Sequence, residues 1–166
     1  SARAGGPKTE VAELITKAVT ANPTDKSPRL LLVEFHLRNK DYELALSAAQ
    51  NAVATIPDSP ELLDALGRAL QLSGDGNQAL ATFAKLAGMQ PQSPMPHMRM
   101  ADVNLTVLKD KRAAAQELRK ALEVKPDLLV AQRGLILLAV ESKQYQEALG
   151  IVREIQKQRP KEATGY

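Results

Sequence analysis

The sequence predicts an all-α fold in which about nine antiparallel helices stack as repeated hairpins into an α–α superhelix. Prolines recur at intervals of 34, 34, 35 and 34 residues. An alanine or another apolar residue stands twelve residues before each proline, and most often an alanine stands five residues before it. A period near 34 residues is typical of helical hairpins that bury their apolar faces only against neighbouring hairpins. The prolines are Pro23, Pro57, Pro91, Pro126 and Pro160.

The second repeat shows how each element is encoded. Its first helix, helix A, is expected to begin at Ser59, whose hydroxyl oxygen caps a backbone N–H, with Pro60 in the first helical position. Leucines and alanines follow at three- and four-residue spacing, and two glycines in residues 73–76 then predict a turn. Helix B continues to Pro91, which has no N–H and disfavours a helical conformation in the residue before it.

The helices of the other repeats are expected to start in a similar way. Ser27-Pro28 and Ser93-Pro94 repeat the opening of the second repeat, and Asp127 is the expected cap in the fourth. The third repeat has one extra residue, which we place in its inter-helix turn around Lys109-Asp110-Lys111 because turns tolerate insertions.

These signals divide the chain into one array with a short N-terminal extension. Residues 1–8 are expected to be disordered or vector-derived, and residues 9–166 form the array. Within it, residues 9–25 are a half repeat that contains only a helix B. The full repeats are 26–59, 60–93, 94–128 and 129–162. The lone first helix and the short stretch after Pro160 are what an excised piece of a longer array would show.

Charge and composition argue against several classes of function. The net charge of +3 comes from 22 basic and 19 acidic residues without a run of like charges, and aromatic residues make up only 3% of the chain, so no nucleic-acid ligand is expected. The chain has no cysteine, which excludes disulfides, thiolate metal sites and cysteine nucleophiles but leaves the compartment open. No stretch approaches the roughly 18 apolar residues of a membrane span, so no direct membrane insertion of this segment is expected.

The sequence offers no catalytic, metal or cofactor site. His36 and His97 belong to different repeats and have no second ligand nearby in the chain, so neither is expected to bind a metal. His36 lies in an apolar stripe and is expected to be a core residue with a hydrogen-bonded nitrogen. The glycine-rich turn at residues 74–77 lacks the Lys-Ser/Thr of a phosphate loop and the acidic ladder of a calcium loop. Because no nucleophile, base and orienting group can be placed together, no enzyme is expected.

The methionines cluster around the second and third repeats. They either fill gaps at a repeat boundary, which we favour, or form an adaptable apolar contact surface. They are Met89, Met95, Met98 and Met100.

These features resemble the tetratricopeptide repeat family from about Thr9 to Pro160. Family members have a large apolar residue followed by a small one in helix A, seen here in Leu66-Gly67 and Met100-Ala101, small residues early and late in helix B, and the closing proline. Val33 and Ile136 depart from the small residue of helix A. Pentatricopeptide repeats have a similar period and bind RNA, but the alanine and Leu-Gly pattern favours the tetratricopeptide family. The family has two aromatic positions in helix A. In the four repeats of this chain, the first position holds Arg29, Leu63, His97 and Gln132, and the second holds His36, Leu70, Asn104 and Ala139.

A narrower similarity concerns bacterial lipoproteins. Leu66-Gly67-Arg68, residues 79–86 and residues 91–94 resemble the long repeat lipoproteins of the PEP-CTERM protein-sorting and exopolysaccharide system. That resemblance implies an extracytoplasmic parent, in the periplasm or anchored to the outer membrane through a lipidated cysteine. This chain would then be an internal fragment of it.

The family resemblance implies a right-handed superhelix whose concave groove, lined by helix A side chains, binds a peptide or a partner protein. Arg68, Arg99 and Arg133, one per repeat, either hold carboxylates of an acidic peptide or pair with neighbouring acidic residues. The lysine and asparagine clamp of chaperone-binding members is absent at the matching positions. The candidate groove residues are Glu34, Arg38, Asp64, Arg68, Gln71, Met98, Arg99, Asp102 and Arg133, with Leu37, Leu105 and Glu141 in the same wall.

An architectural role is the alternative. The chain would then space other domains or self-associate through exposed terminal helices, so an oligomer is a possible outcome.

Overall fold

The computed structural model describes residues 6–160, and within this range it contains nine α-helices and no strand. The all-α hairpin fold predicted from the period is therefore confirmed. Residues 1–5, which are most of the predicted N-terminal extension, and residues 161–166 lie outside the described residues. The helices are α1 (Gly6–Ala21), α2 (Lys26–Arg38), α3 (Tyr42–Thr55), α4 (Pro60–Leu72), α5 (Gly76–Met89), α6 (Met95–Thr106), α7 (Lys111–Val124), α8 (Leu129–Glu141) and α9 (Tyr145–Gln158).

The first helix starts earlier than the sequence suggests. Residues 6–8, which were expected to be disordered or vector-derived, form the first turn of α1. Lys8 contributes to the fold because its Nζ lies 3.0 Å from Oδ2 of Asp41 at the start of α3.

Helix starts agree with the sequence in the second repeat and differ in others. Ser59 Oγ accepts a hydrogen bond from the N–H of Leu62 at 3.3 Å, as expected. In α2, however, Asp25 is the N-cap and accepts from the N–H of Ser27. Leu128 takes the cap position of α8 without a side-chain bond, and so Asp127 is not the cap. Local sequence alone does not define the first residue of a helix to within one or two positions.

In each of the four full repeats, the turn between helix A and helix B contains one residue in the left-handed region. In the second repeat it is Gly74 (φ 89°), and in the other three repeats it is a lysine: Lys40 (59°), Lys109 (56°) and Lys143 (61°). The residue after each of them donates its N–H back to a carbonyl in the last turn of the preceding helix, as in Asp75 to Leu70 and Gln144 to Ala139. The turn is therefore the same helix-terminating motif in the first, second and fourth repeats, and in the third, where the N–H of Asp110 donates to Asn104, it is one residue longer.

The chain divides into two compact units, one up to Leu86 and one from Ala87 onward. In the N-terminal unit, small residues of α2, α3 and α4 form a buried cluster of Val33, Ala45, Ala49, Ala65 and Ala69. Helices α4 and α5 approach so closely that a Cβ added to Gly67 would lie 2.4 Å from a ring carbon of the buried Phe83.

The C-terminal unit has a second buried cluster, which joins α6, α7 and α8. Its members are Ala101, Leu118, Ala121, Ala131 and Leu135, and Ile151 of α9 packs against it. In both clusters alanines provide about half or more of the buried side chains, which lets helix backbones approach closely. The recurrent alanines of the sequence thus lie where the repeats are held together.

No helix among residues 6–160 combines the length and apolar character that crossing a bilayer requires.

Candidate interaction surface

In the N-terminal unit, three of the predicted residues form one ion-pair network between α2 and α4. The Arg68 guanidinium contacts both carboxylate oxygens of Glu34, and its Nε donates to Oδ2 of Asp64 at 3.1 Å. Burial acts to lower the pKa of Arg68, but the hydrogen bonds and charges of Glu34 and Asp64 outweigh it and raise that pKa above its ordinary value. Arg68 therefore joins two A helices of neighbouring repeats, and its charge is paired with two carboxylates within the fold.

Arg38 and Gln71 lie at the ends of the same two helices. Arg38, the last residue of α2, is exposed and makes no ion pair with any residue that the structure describes. Gln71 is half-buried and already engaged with another residue. Arg38 is therefore the available cation of this surface, a role that the sequence had suggested for Arg68.

In the C-terminal unit, the predicted residues separate into three kinds. Met98 is half-buried and packs against the buried cluster of that unit, which favours the gap-filling role for this methionine. Arg99 and Asp102 are both engaged in polar interactions. Arg133 on α8 is exposed and makes no ion pair within residues 6–160. Of the three arginines proposed as one per repeat, only Arg133 is available to a ligand.

Beside Arg133, α8 exposes an apolar stripe that the sequence did not single out. Val130, Leu137 and Val140 are 64%, 58% and 44% exposed. Their spacing places them on the same side of the helix as Arg133. The sequence contains a signal for this stripe. Apolar residues lie on several faces of α8, so those that do not pack against the core are exposed.

Polar residues at the family's aromatic positions make hydrogen bonds within one repeat or to the preceding repeat. Arg29 Nε donates to the carbonyl of Pro23 at 2.7 Å, and Gln132 Nε2 donates to the carbonyl of Pro126 at 3.1 Å. Each of these side chains thus binds the carbonyl of the closing proline six residues upstream. His97 Nδ1 lies 2.9 Å from Oε2 of Glu117 on α7. These positions are therefore structural, although their residue types depart from the family.

His36 is buried, as expected, but the expectation of a hydrogen-bonded nitrogen is wrong for Nδ1. That atom has no hydrogen-bond partner among the described residues. Burial lowers the pKa of His36, and the nearby positive charge of Lys8 lowers it further, while the negative charge of Asp41 acts in the opposite direction. The side chain is therefore held neutral near physiological pH.

Within residues 6–160, no three His, Asp or Glu side chains come together as a possible metal site.

Comparison with known proteins identifies the fold and a family resemblance in part of the chain. A family model described as tetratricopeptide repeat matches residues 36–103, which span the last turn of α2 through most of α6. The crystal structure of MamA aligns with a TM-score of 0.76 over 98% of this chain and 94% of that chain, at 16% identity. Residues 36–103 thus resemble the tetratricopeptide repeat family, and the described chain has the tetratricopeptide repeat fold.

Two further structures share the tetratricopeptide fold. TTC0263, described as a thermophilic TPR protein in Thermus thermophilus, aligns with a TM-score of 0.66 at 22% identity over 97% of this chain and 88% of that one. YrrB, described as a TPR protein with an unusual peptide-binding site, aligns with a TM-score of 0.65 at 19% identity over 90% of this chain and 76% of that one. No curated protein sequence matches the chain. At these identities the alignments establish the fold alone.

Proposed function

We propose that this protein is a non-catalytic scaffold that binds a peptide or a partner protein through the exposed faces of its A helices. The apolar stripe of α8 is the observation that supports this most directly. Three large aliphatic side chains, Val130, Leu137 and Val140, are exposed together, and a contiguous exposed apolar patch typically marks an interaction site.

The charges beside the stripe define the class of partner. Arg133 lies on the same face without an ion-pair partner among the described residues, so a segment with apolar side chains and a carboxylate is the complementary ligand. Arg38 offers a similar cation in the N-terminal unit, whereas Arg68 is held by Glu34 and Asp64. The peptide-binding site named for YrrB, a protein of the same fold, supports the general class of function.

The test compares substitutions on the A-helix face with a matched substitution elsewhere. Partners captured from a lysate of the source cell would be identified, and the affinity of a purified partner would be measured by calorimetry. Leu137→Asp and Arg133→Glu should each weaken binding about tenfold or more, because interface centres carry most of the binding energy. Leu44→Asp, which places the same charge at an exposed leucine of the B helix α3, should leave affinity unchanged. Equal affinity of all three variants and the unmodified chain would exclude this surface.

We further propose that the parent is a bacterial lipoprotein of the PEP-CTERM and exopolysaccharide system, with the non-catalytic scaffold in an extracytoplasmic compartment. The support is the sequence similarity of Leu66-Gly67-Arg68 and residues 91–94. Metabolic labelling of the full-length parent with a lipid precursor, followed by membrane fractionation, tests it. An unlabelled parent recovered in the cytoplasmic fraction contradicts it.

Self-association is a second candidate function, favoured by the exposure of the two outermost helices. No residue of α1 is fully buried, and Leu14 is exposed. In α9 only Ala148 is fully buried, while Leu149 and Val152 are exposed. Light scattering should then show a mass that grows with concentration and returns to a monomer in Leu14→Asp. A monomer at every concentration excludes this role.

A further inference from the structure

A cleft in the C-terminal unit lies between α7, the end of α8 and the start of α9. Its volume is about 590 Å³, within the range of ligand-binding pockets. The floor is apolar and is formed by Ala115, Leu135, Leu138 and Ala139, while charged and amide side chains form the rim. All of these residues belong to the third and fourth repeats, and none is on the α8 stripe formed by Val130, Leu137 and Val140.

The cleft exists because two small residues face it. Ala115 occupies a helix B position at which the other three repeats have a leucine, namely Leu46, Leu80 and Leu149. In the first repeat that leucine is packed against the buried cluster of the N-terminal unit. Ala139 occupies the second aromatic position of the family, where the second repeat has Leu70. The volume that these larger side chains fill elsewhere is left open between the third and fourth repeats.

The rim of the cleft has three cationic side chains and two glutamates, so one positive charge is left after the two ion pairs form. Lys111 Nζ lies 2.9 Å from Oε2 of Glu141, and Arg119 Nη2 lies 2.7 Å from Oε1 of Glu147. Both glutamates of the rim are thus neutralised. Arg112 is the third cation of the rim, and its exposed side chain makes no ion pair or hydrogen bond with any residue between 6 and 160.

The position of Arg112 strengthens the attraction for an anion. It is the second residue of α7, where the helix dipole adds partial positive charge. The carboxylate of Asp110 is occupied in capping this helix through the N–H of Ala113 at 2.9 Å. The amides of Gln116 and Gln144, also on the rim, make no side-chain hydrogen bond within the described residues and are available to a peptide backbone.

We propose that this cleft is a second binding site, which takes a leucine-sized apolar side chain of a partner protein together with an adjacent carboxylate. The apolar side chain packs on Ala115, Leu138 and Ala139 and restores the packing that Leu46 provides in the first repeat. The carboxylate pairs with the Arg112 guanidinium. The site is separate from the exposed A-helix face, so either proposal can fail without the other.

The experiment uses N-acetyl-L-leucine, which carries both features, and N-acetyl-L-leucinamide, which lacks the carboxylate. Each is titrated into the isotope-labelled chain, and amide shifts are followed by NMR. Saturable shifts are expected at Ala115, Leu138 and Ala139, with a dissociation constant for N-acetyl-L-leucine on the order of 1–10 mM, as for other ligands of this size. The leucinamide should bind roughly three- to tenfold more weakly, because it cannot pair with Arg112.

Three variants separate the two features. Arg112→Gln should weaken the binding of N-acetyl-L-leucine by roughly three- to tenfold, because it removes the partner of the carboxylate. The affinity for the leucinamide, which has no carboxylate, should stay unchanged. Arg153→Gln removes an exposed arginine of α9 that does not line the cleft and should change neither affinity. Ala115→Leu fills the cleft and should abolish binding of both compounds. Ala115→Val serves the same purpose if the larger variant does not fold by circular dichroism.

The outcomes that overturn the proposal are equally specific. Absence of saturable shifts with both compounds excludes the site. Binding to a folded Ala115→Leu or Ala115→Val variant at the affinity of the unmodified chain shows that the cleft is not where the compounds bind. Equal affinity for the two compounds, or equal weakening by Arg112→Gln and Arg153→Gln, removes the role of Arg112.

Discussion

At the scale of single residues, the structure separates charged side chains that hold the fold from those that a partner can reach. Arg68 and Arg133 both lie in A helices, of the second and the fourth repeat. Arg68 contacts Glu34 and Asp64, whereas Arg133 is exposed. A guanidinium whose charge is paired with two carboxylates within the protein attracts an anionic ligand less than an unpaired one. Substitutions meant to test binding therefore belong at Arg133 or Arg38.

His36 predicts a pH dependence of stability. Its pKa is lowered from 6.5 in the folded state, chiefly by burial, so the unfolded chain binds more protons at mildly acidic pH. The free energy of unfolding should be highest above the unfolded pKa and should fall as pH decreases through about 6.5 toward the lowered folded value. Urea unfolding at pH 7.5 and at pH 5 measures the change.

His36→Leu is the matched variant, because Leu70 occupies the equivalent position of the second repeat. This variant should lose less stability than the unmodified chain between the two pH values. If the two proteins lose the same amount, the histidine is not the titrating group.

At the scale of elements, the left-handed turn residues predict where stability can be gained. Lys143 has φ 61° in the turn between α8 and α9, a conformation that costs a residue with a Cβ about 1–2 kcal/mol and costs glycine almost nothing. After the greater chain entropy of glycine is counted, Lys143→Gly should stabilise the protein by about 0.5–1 kcal/mol in chemical denaturation. Gly74, with φ 89°, already stands at this position in the second repeat.

The control makes the same substitution inside a helix. Lys157→Gly, in the last turn of α9, should instead destabilise the protein by up to about 1 kcal/mol, since glycine is a poor helix former. Destabilisation by both substitutions would show that the turn is not strained.

The hairpin contact between α4 and α5 predicts a compensating pair. Gly67 faces Phe83 in the second repeat. The equivalent pairs are Val33 with Ala49 in the first repeat and Ala101 with Leu118 in the third. In each of these three pairs, a larger residue on one helix accompanies a smaller one on the other. A Cβ at residue 67 would lie 2.4 Å from the Phe83 ring. Gly67→Ala should therefore cost about 1–3 kcal/mol by overpacking.

Phe83→Leu reproduces the Ala101–Leu118 pair and should reduce the cost of Gly67→Ala by roughly 1 kcal/mol, measured as the coupling energy of a double-mutant cycle. Gly150→Ala in α9 is the control, because a Cβ there meets nothing within 4 Å and alanine favours the helix. Additive effects of the two substitutions, Gly67→Ala and Phe83→Leu, would refute the compensation.

At the scale of the whole molecule, a repeat protein is stabilised by contacts between adjacent hairpins, so a local defect should have local effects. Ala114 is fully buried in α7, and Ala114→Leu should cost about 1–3 kcal/mol by separating the helices around it. Hydrogen exchange should show the largest loss of protection in α6 to α9 and a smaller loss in α2 to α4. Equal loss in both compact units would mean that the chain unfolds in one cooperative step.

Much of the fold could be predicted because its signals are local and recur. The closing prolines, the alanines of helix B and the apolar stripes fix the number of helices and their approximate ends, and the turn insertion of the third repeat falls between α6 and α7 as expected. The starts of α2 and α8 could not be predicted to the residue, since Asp25 rather than Ser27 caps α2 and α8 begins after Leu128 without a side-chain cap.

The sequence by itself determined that this protein is a stack of helical hairpins, because the spacing of prolines and small residues encodes which helix faces meet. Only the tertiary structure decided which side chains are available for binding. The pairing of Arg68 with Glu34, the exposure of Arg133 beside Leu137, and the cleft opened by Ala115 and Ala139 all depend on contacts between different helices. Those contacts are set by how the helices pack, and residue spacing along one helix does not contain that information.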